Sequence, residues 1–177
     1  FKKTKNLFAL NFAKKNKLDD FILCEGYMDV ISMHQAGFTG AVASLGTSLT
    51  EDQCRLLSSY TPEVVLAYDA DEAGRKASKR AAGLLDEVGV RSRVLVVEGA
   101  KDPDEYIKNF GAARFGQLLK KSSGATEYEL DRIRSKYDTN VPEGIIAAVK
   151  EATVMVAGLR NPLERDVWAA KIASDYS

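Results

Sequence analysis

Between residues 19 and 110 short apolar runs alternate with stretches of helical character, and this alternation constrains the fold more than any other feature of the chain. Phe21-Ile22-Leu23-Cys24, Gly40-Ala41-Val42-Ala43, Val64-Val65-Leu66-Ala67-Tyr68 and residues 92–97 read as four strands. Residues 27–36, stopped by Gly37, residues 50–58 and residues 73–88, ended by Gly89, read as helices. Thr50 and Gln53 stand at the spacing of a capping box. Strands separated by helices of this length need crossover connections, which predicts an α/β fold with a mainly parallel sheet flanked by helices. Beyond residue 110 the strand signals stop. Residues 112–121 are helical and Ser122-Ser123-Gly124 is a break. Residues 127–136, 143–159 and 163–174 then predict three helices, with Pro142 and Pro162 near two of the starts. The expected organisation is a basic arm over residues 1–18, an α/β domain over 19–124 and a small all-α helical subdomain over 125–177.

The formal charge is zero, from 25 Lys plus Arg against 25 Asp plus Glu. That neutrality hides a strong asymmetry. Residues 1–18 hold six Lys and no acid, residues 19–110 hold sixteen acids against nine bases, and residues 111–177 hold nine acids against ten bases. A basic arm beside an acidic centre points to phosphate and divalent cation together. An apolar fraction of 45 % is enough to fill a core and excludes a disordered chain. No run of about 18 apolar residues occurs, and the start FKKTKNLFAL lacks the apolar core and cleavage site of a secretory signal. Cys24 and Cys54 are too few for a disulfide framework and form no CxxC pair, so a reducing, cytoplasmic setting is expected.

The acids fall where such a sheet binds ligands, at the carboxyl ends of its strands. Glu25 follows the first strand and Asp29 lies four residues on. Asp69 and Asp71 follow the third, and Asp102 and Asp104 follow the fourth after a short loop. Converging carboxylates repel one another, and a hard divalent cation with oxygen preference removes that cost. Mg²⁺ uses few carboxylates together with phosphate oxygens, and paired ions suit phosphoryl transfer. Each acid also has an ordinary structural reading. Asp69 or Asp71 can cap the helix that follows, and Asp29, Asp102 and Asp104 suit the first turn of a helix.

The strings Glu25-Gly26-Tyr27-Met28-Asp29-Val30, Ala43-Ser44-Leu45-Gly46-Thr47, Tyr68-Asp69-Ala70-Asp71-Glu72-Ala73-Gly74 and Lys101-Asp102-Pro103-Asp104-Glu105, in this order, resemble the TOPRIM domain of bacterial DNA primase. Phe1-Lys2-Lys3-Thr4-Lys5-Asn6-Leu7-Phe8 resembles the basic stretch ahead of that domain, so the likeness covers residues 1–110. The resemblance implies a TOPRIM-type fold, with residues 1–18 ending the N-terminal polymerase subdomain. It also implies that Glu25, Asp69 and Asp71 act as catalytic metal ligands for Mg²⁺ or Mn²⁺, with Asp29, Asp102 and Asp104 at a second or alternative metal position. Lys3 and Asn6, then Lys15, are expected beside nucleotide phosphates or the nucleic-acid strand, and Gly26 and Gly46 where the backbone approaches the site. The implied activity is DNA-templated synthesis of short RNA primers at the bacterial replication fork, by attack of a primer 3′-hydroxyl on an α-phosphate. Its partners would be a single-stranded DNA template, an RNA primer and nucleoside triphosphates, and no membrane. The zinc-binding module, most of the basic N-terminal subdomain and the helicase-binding C-terminal domain of such a primase are not recognisable in the sequence. The chain is thus expected to be an excised piece, with replicative helicase and single-strand-binding protein contacted through other parts.

Two other readings stay open at this point. A TOPRIM nuclease or topoisomerase-like strand cutter would use Glu25 as general acid or base. A non-catalytic binding module would use the acids as helix caps. Among other residues, Leu7, Phe8, Leu10 and Phe12 are expected to pack on the core in preference to base stacking, in which Phe1 would share. Arg75, Lys76, Lys79 and Arg80 are expected to form a solvated helix face in preference to receiving template or triphosphate charge, and His34 to be a surface or packing residue. Cys24 is expected to be a buried small hydrophobe, and Val156 and Trp168 to fit a helical core.

Overall fold

The computed structural model describes residues 2–15, 21–44, 46 and 48–176. The expected boundary at residues 18/19, the stacking role of Phe1, and Leu45 and Thr47 of the Ser44–Thr47 string lie outside these residues. The chain divides into two compact units, one running to Ala125 and one from Thr126.

In the first unit a single turn at Lys3–Lys5 and a short helix α1 (Leu10–Ala13) precede strand β1 (Phe21–Cys24). There follow α2 (Tyr27–Gln35), β2 (Ala41–Ala43), α3 (Glu51–Ser58), β3 (Glu63–Ala67), α4 (Glu72–Glu87), β4 (Arg91–Val94), α5 (Pro103–Phe110), α6 (Ala112–Lys120) and β5 (Ser123–Gly124). The sheet order is β2-β1-β3-β4-β5, with the first four strands parallel. Every residue of β1 is buried, as expected of a central strand covered on both faces, where apolar residues run without alternation. The chain leaves β1 for β2 on one side and leaves β3 for β4 on the other. The switch in winding direction therefore falls between the carboxyl ends of β1 and β3, where a parallel sheet opens a crevice.

Local chemistry fixes the element ends. Thr50 and Gln53 form the predicted capping box at the start of α3. Asp71 caps α4 by accepting from the Gly74 N–H at 2.7 Å, and Asp102 caps α5 by accepting from the Glu105 N–H at 2.7 Å. Gly74 is obligatory here, because a Cβ would stand 2.2 Å from the carbonyl oxygen of Asp69. The core joins Ile22, Cys24, Val65 and Ala67 of the sheet to Val30 and Met33 of α2 and to Phe115 and Leu119 of α6.

Two expectations are corrected. Strand structure does not stop at residue 110, since β5 pairs antiparallel with β4 through Arg93–Gly124 and Val94–Ser123. Arg93 reaches Glu63 on β3 at 2.9 Å and donates to the Ser122 hydroxyl at 2.9 Å, which draws this polar segment to the sheet edge. Phe12 is not in the core. It is 56 % exposed and meets His34 edge-on, whereas Leu7 and Leu10 are buried.

The second unit comprises α7 (Ala125–Lys136), α8 (Pro142–Ala157) and α9 (Pro162–Asp175). Ile133, Ala148, Ala152, Val156 and Ile172 form its core, with Trp168 packed against them. Gly144 lets the first turn of α8 lie against the backbone of Asp138, where a Cβ would meet the carbonyl oxygen at 1.8 Å.

Candidate functional site at the sheet switch point

Glu25 is the first residue beyond β1, and Asp69 and Asp71 lie two and four residues beyond β3. They therefore flank the crevice from both sides. Desolvation raises the carboxyl pKa of Glu25, and the charges of Asp69 and Asp71 raise it further. Asp69 is raised by desolvation and then by Asp102 and Asp71, with Lys101 opposing. Asp29, 7 % exposed, is pushed up to about 6 by burial first and by Asp102 and Asp69 next.

These couplings sort the acids into two overlapping groups. Glu25, Asp69 and Asp71 form one, and Asp29, Asp102 and Asp69 the other. Asp69 belongs to both. Mutual elevation of this kind is the signature of negative charge without full compensation.

The acids differ in how committed they are. Asp29 accepts from the Gly26 N–H at 3.3 Å and from the Asp104 N–H at 3.4 Å, so it holds the turn after β1 against the start of α5. Asp71 and Asp102 each keep one oxygen on a helix N-terminus. The capping roles considered from sequence are thus real. They do not exhaust these side chains, because a carboxylate has lone pairs for several partners. Asp104 departs from the expected patch. Its carboxylate is bound to Lys108 at 2.5 Å, which holds its pKa below the usual carboxylate range. Among the described residues no group of three or more acids, histidines or cysteines stands close enough to form a preformed metal cage.

The expected nucleotide-side residues lie on the N-terminal segment and in the turns that follow β1 and β2. The Lys3 and Asn6 carbonyls accept from the Gln53 side-chain amide at 3.1 and 2.8 Å, and the Thr4 carbonyl accepts from the Thr50 hydroxyl at 2.7 Å. Phe8 exchanges backbone hydrogen bonds with Ala43. The basic segment is therefore fastened to both ends of the β2–α3 loop. Lys15 is exposed just after α1. Gly26 caps α2, and Gly46 takes φ +70°, which needs a glycine. His34 binds the Ala41 carbonyl through Nε2 at 2.9 Å and Cys24 is fully buried, both as packing residues. Sequence reading missed a cavity beside Glu25 bounded by the β2–α3 loop, Tyr68 and α4. Its walls come from three separated stretches of ordinary residues, and nothing in their spacing announces it.

Comparison with known proteins agrees with the fold. Residues 22–107 match the family model described as Toprim-like, and residues 126–176 match that of the DnaB-helicase binding domain of primase. A DNA primase of Clostridium acetobutylicum is 40 % identical over 174 residues, covering 98 % of this chain and 29 % of the relative. The zinc-binding and RNA polymerase domains of the Aquifex aeolicus primase superpose with a TM-score of 0.81 at 34 % identity, covering 99 % of this chain and 42 % of that one. A primase catalytic domain solved bound to single-stranded DNA gives a TM-score of 0.80 at 26 % identity, covering 99 % of this chain and 57 % of that one. The chain thus spans less than a third of the curated relative. The second family match relocates one expectation, since a helicase-binding model falls on α7 to α9 and not wholly outside the chain.

Proposed function

The chain belongs to the DNA primase family, and from that premise we propose that it carries the metal-dependent nucleotidyl-transfer centre of a primase catalytic core. The observation that carries this reading is the coupled set Glu25, Asp69 and Asp71 at the switch point between β1 and β3. Their chemistry suits Mg²⁺ or Mn²⁺. All donors are hard oxygens, they hold negative charge without full compensation, and Mg²⁺ completes its shell with water and phosphate oxygens instead of a protein cage. Glu25, Asp69 and Asp71 would hold the ion, with Asp29 and Asp102 supporting a second position. When bound, a divalent ion lowers the pKa of an attacking primer 3′-hydroxyl and neutralises charge that develops on the triphosphate.

The rest is done by the chain. Asp29 fixes the Gly26 turn and with it the exit of Glu25 from the sheet. Asp71 ties the ligand loop after β3 to the rigid start of α4. Asp104, engaged by Lys108, positions the start of α5 through its N–H to Asp29. Lys3, Asn6 and Lys15, with the backbone at Gly26 and Gly46, would face phosphates of the triphosphate, the RNA primer or the DNA template. Contact with phosphate carries no sequence information, so base pairing selects the nucleotide. The match over residues 126–176 favours α7 to α9 as the part that meets the replicative helicase. Single-strand-binding protein would be met through other parts of such a primase.

Calorimetric titration with Mn²⁺ tests the centre. Wild-type chain is expected to bind, and Asp69→Asn with Asp71→Asn to lose at least tenfold in affinity. Unchanged binding in the double variant would overturn the metal assignment. In a primase catalytic core carrying this chain, Glu25→Gln is expected to lower nucleotide incorporation on single-stranded DNA by about 10²-fold or more. Metal-dependent nicking without incorporation would instead support strand cleavage.

A further inference from the structure

One residue separates Asp69 from Asp71, and its two peptide groups set how the carboxylates on either side stand to each other. Residues 68–71 lie between β3 and α4 and belong to neither, so no sheet ladder fixes them. Other groups do. The Ala70 N–H donates to the Lys101 carbonyl at 3.1 Å, and the Ala70 carbonyl accepts from Nη1 of Arg75. The Arg75 N–H donates to the Asp71 carbonyl at 3.1 Å. Arg75 therefore grips two successive carbonyls of the loop, one through its side chain and one through its backbone. On the far side Lys101 is itself held, its N–H donating to the Glu105 carboxylate at 2.7 Å. Lys101 precedes Asp102, so Ala70 also joins the loops that carry the two acidic groups. Arg75 is exposed, as a solvated helix residue would be, yet its guanidinium turns back five residues to the ligand loop. A charged donor makes the stronger class of hydrogen bond, which offsets the entropy of ordering so long a side chain.

We propose that Arg75 is a positioning residue for the metal centre. With the Lys101 carbonyl on the other side, it clamps Ala70 and so fixes the angle between Asp69 and Asp71. The inference rests on the metal reading of those two acids, and it adds a residue that touches neither ion nor substrate. Mg²⁺ demands near-ideal octahedral placement of its donors, and groups that orient ligands change metal affinity by about 10- to 100-fold. The sign of the effect separates positioning from charge. Arg75 is a cation near a cation site, so by Coulomb repulsion alone its removal would tighten Mn²⁺ binding. Loss of a brace weakens it.

The test uses the whole chain with Arg75→Ala, Arg75→Lys and, as a charge control at the neighbouring exposed position, Lys76→Ala. Calorimetry gives Mn²⁺ affinity, hydrogen exchange in EDTA reads the Ala70 and Asp71 amides, and melting temperatures check folding. Arg75→Ala is expected to weaken Mn²⁺ binding about tenfold and to speed Ala70 exchange about tenfold, at a wild-type melting temperature. Arg75→Lys keeps the charge and a donor and is expected to fall between. Lys76→Ala is expected to leave Ala70 exchange unchanged and Mn²⁺ affinity no lower than wild type. Affinity in Arg75→Ala equal to or above wild type overturns the proposal. So does an equal loss in Lys76→Ala, which is a charge effect, or faster exchange along the whole of α4, which is general destabilisation. If wild type binds no Mn²⁺ while the Ala70 amide responds as expected, the metal reading fails and the brace on the loop stands. If wild type binds Mn²⁺ and Arg75→Ala changes neither readout, the brace fails and the metal reading stands.

Discussion

Asp69 carries more of the candidate site than any other side chain, because both acidic groups include it. Asp69→Asn alone is therefore expected to lower the carboxyl pKa values of Glu25 and Asp29 in part, burial being the larger cause of both, and to weaken Mn²⁺ binding at least tenfold. NMR titration of the two carboxyl groups checks the first effect and calorimetry the second. Asp29 gives a dependence on pH whose sign follows from its raised value. An unfolded aspartate ionises near pH 4, whereas folded Asp29 holds its proton up to about 6. Over that window the folded state binds more protons than the unfolded state, so this contribution to stability falls as pH rises and then levels off. Asp104, held low by Lys108, acts in the opposite direction and gives up its contribution only as pH falls below the ordinary carboxylate range. In EDTA the melting temperature is expected to drop between about pH 4 and pH 6 and to level off above that. Asp29→Asn should flatten that drop and Mn²⁺ should reverse it. At this scale the site was partly legible. Acids directly after apolar runs announced the crevice, but the partner of each acid was not written in spacing. The capture of Asp104 by Lys108 is a choice between neighbours that only the folded geometry makes.

Among elements, α4 does the most, since Asp71 caps its start and its flank walls the cavity beside Glu25. Gly74→Ala forces a Cβ onto the Asp69 carbonyl, and either the helix or the ligand loop must move. A loss of about 1–3 kcal/mol in urea unfolding is expected, together with weaker Mn²⁺ binding. At α3, Gln53 caps the helix and also holds the Lys3 and Asn6 carbonyls. Gln53→Leu removes both functions, so faster hydrogen exchange is expected across residues 3–8 as well as at the start of α3. Helices and central strands were readable because apolar periodicity and caps are local signals. The edge strand β5 was not, because Ser122-Ser123-Gly124 has no strand character and pairs only where Arg93 anchors it. Phe12 misled for a related reason: helical spacing marks a face but does not say what lies opposite it.

Across the whole molecule, the charge asymmetry becomes a division of labour. Glu25, Asp69 and Asp71 of the acidic stretch flank the crevice, and residues 3–8 of the lysine-rich segment are fastened to the two ends of the β2–α3 loop. Binding to single-stranded DNA is expected to weaken with added salt, and Lys3→Ala with Lys5→Ala should reduce the slope of log affinity against log salt. The α/β character of the first unit and the helices of the second were both legible. The cavity beside Glu25 was not, because among the described residues it exists only where Ser44, Gly46, Ser48 and Leu49 meet Tyr68 and the Lys76–Ala81 flank of α4. The N-terminal segment has one more consequence. It joins Ala43 at one end of the β2–α3 loop and Thr50 and Gln53 at the other, so it works as a splint between the two ends of that loop. A pull at Lys2 would load both ends of that loop at once, through Thr4 and Asn6 to Thr50 and Gln53 and through Phe8 to the last residue of β2.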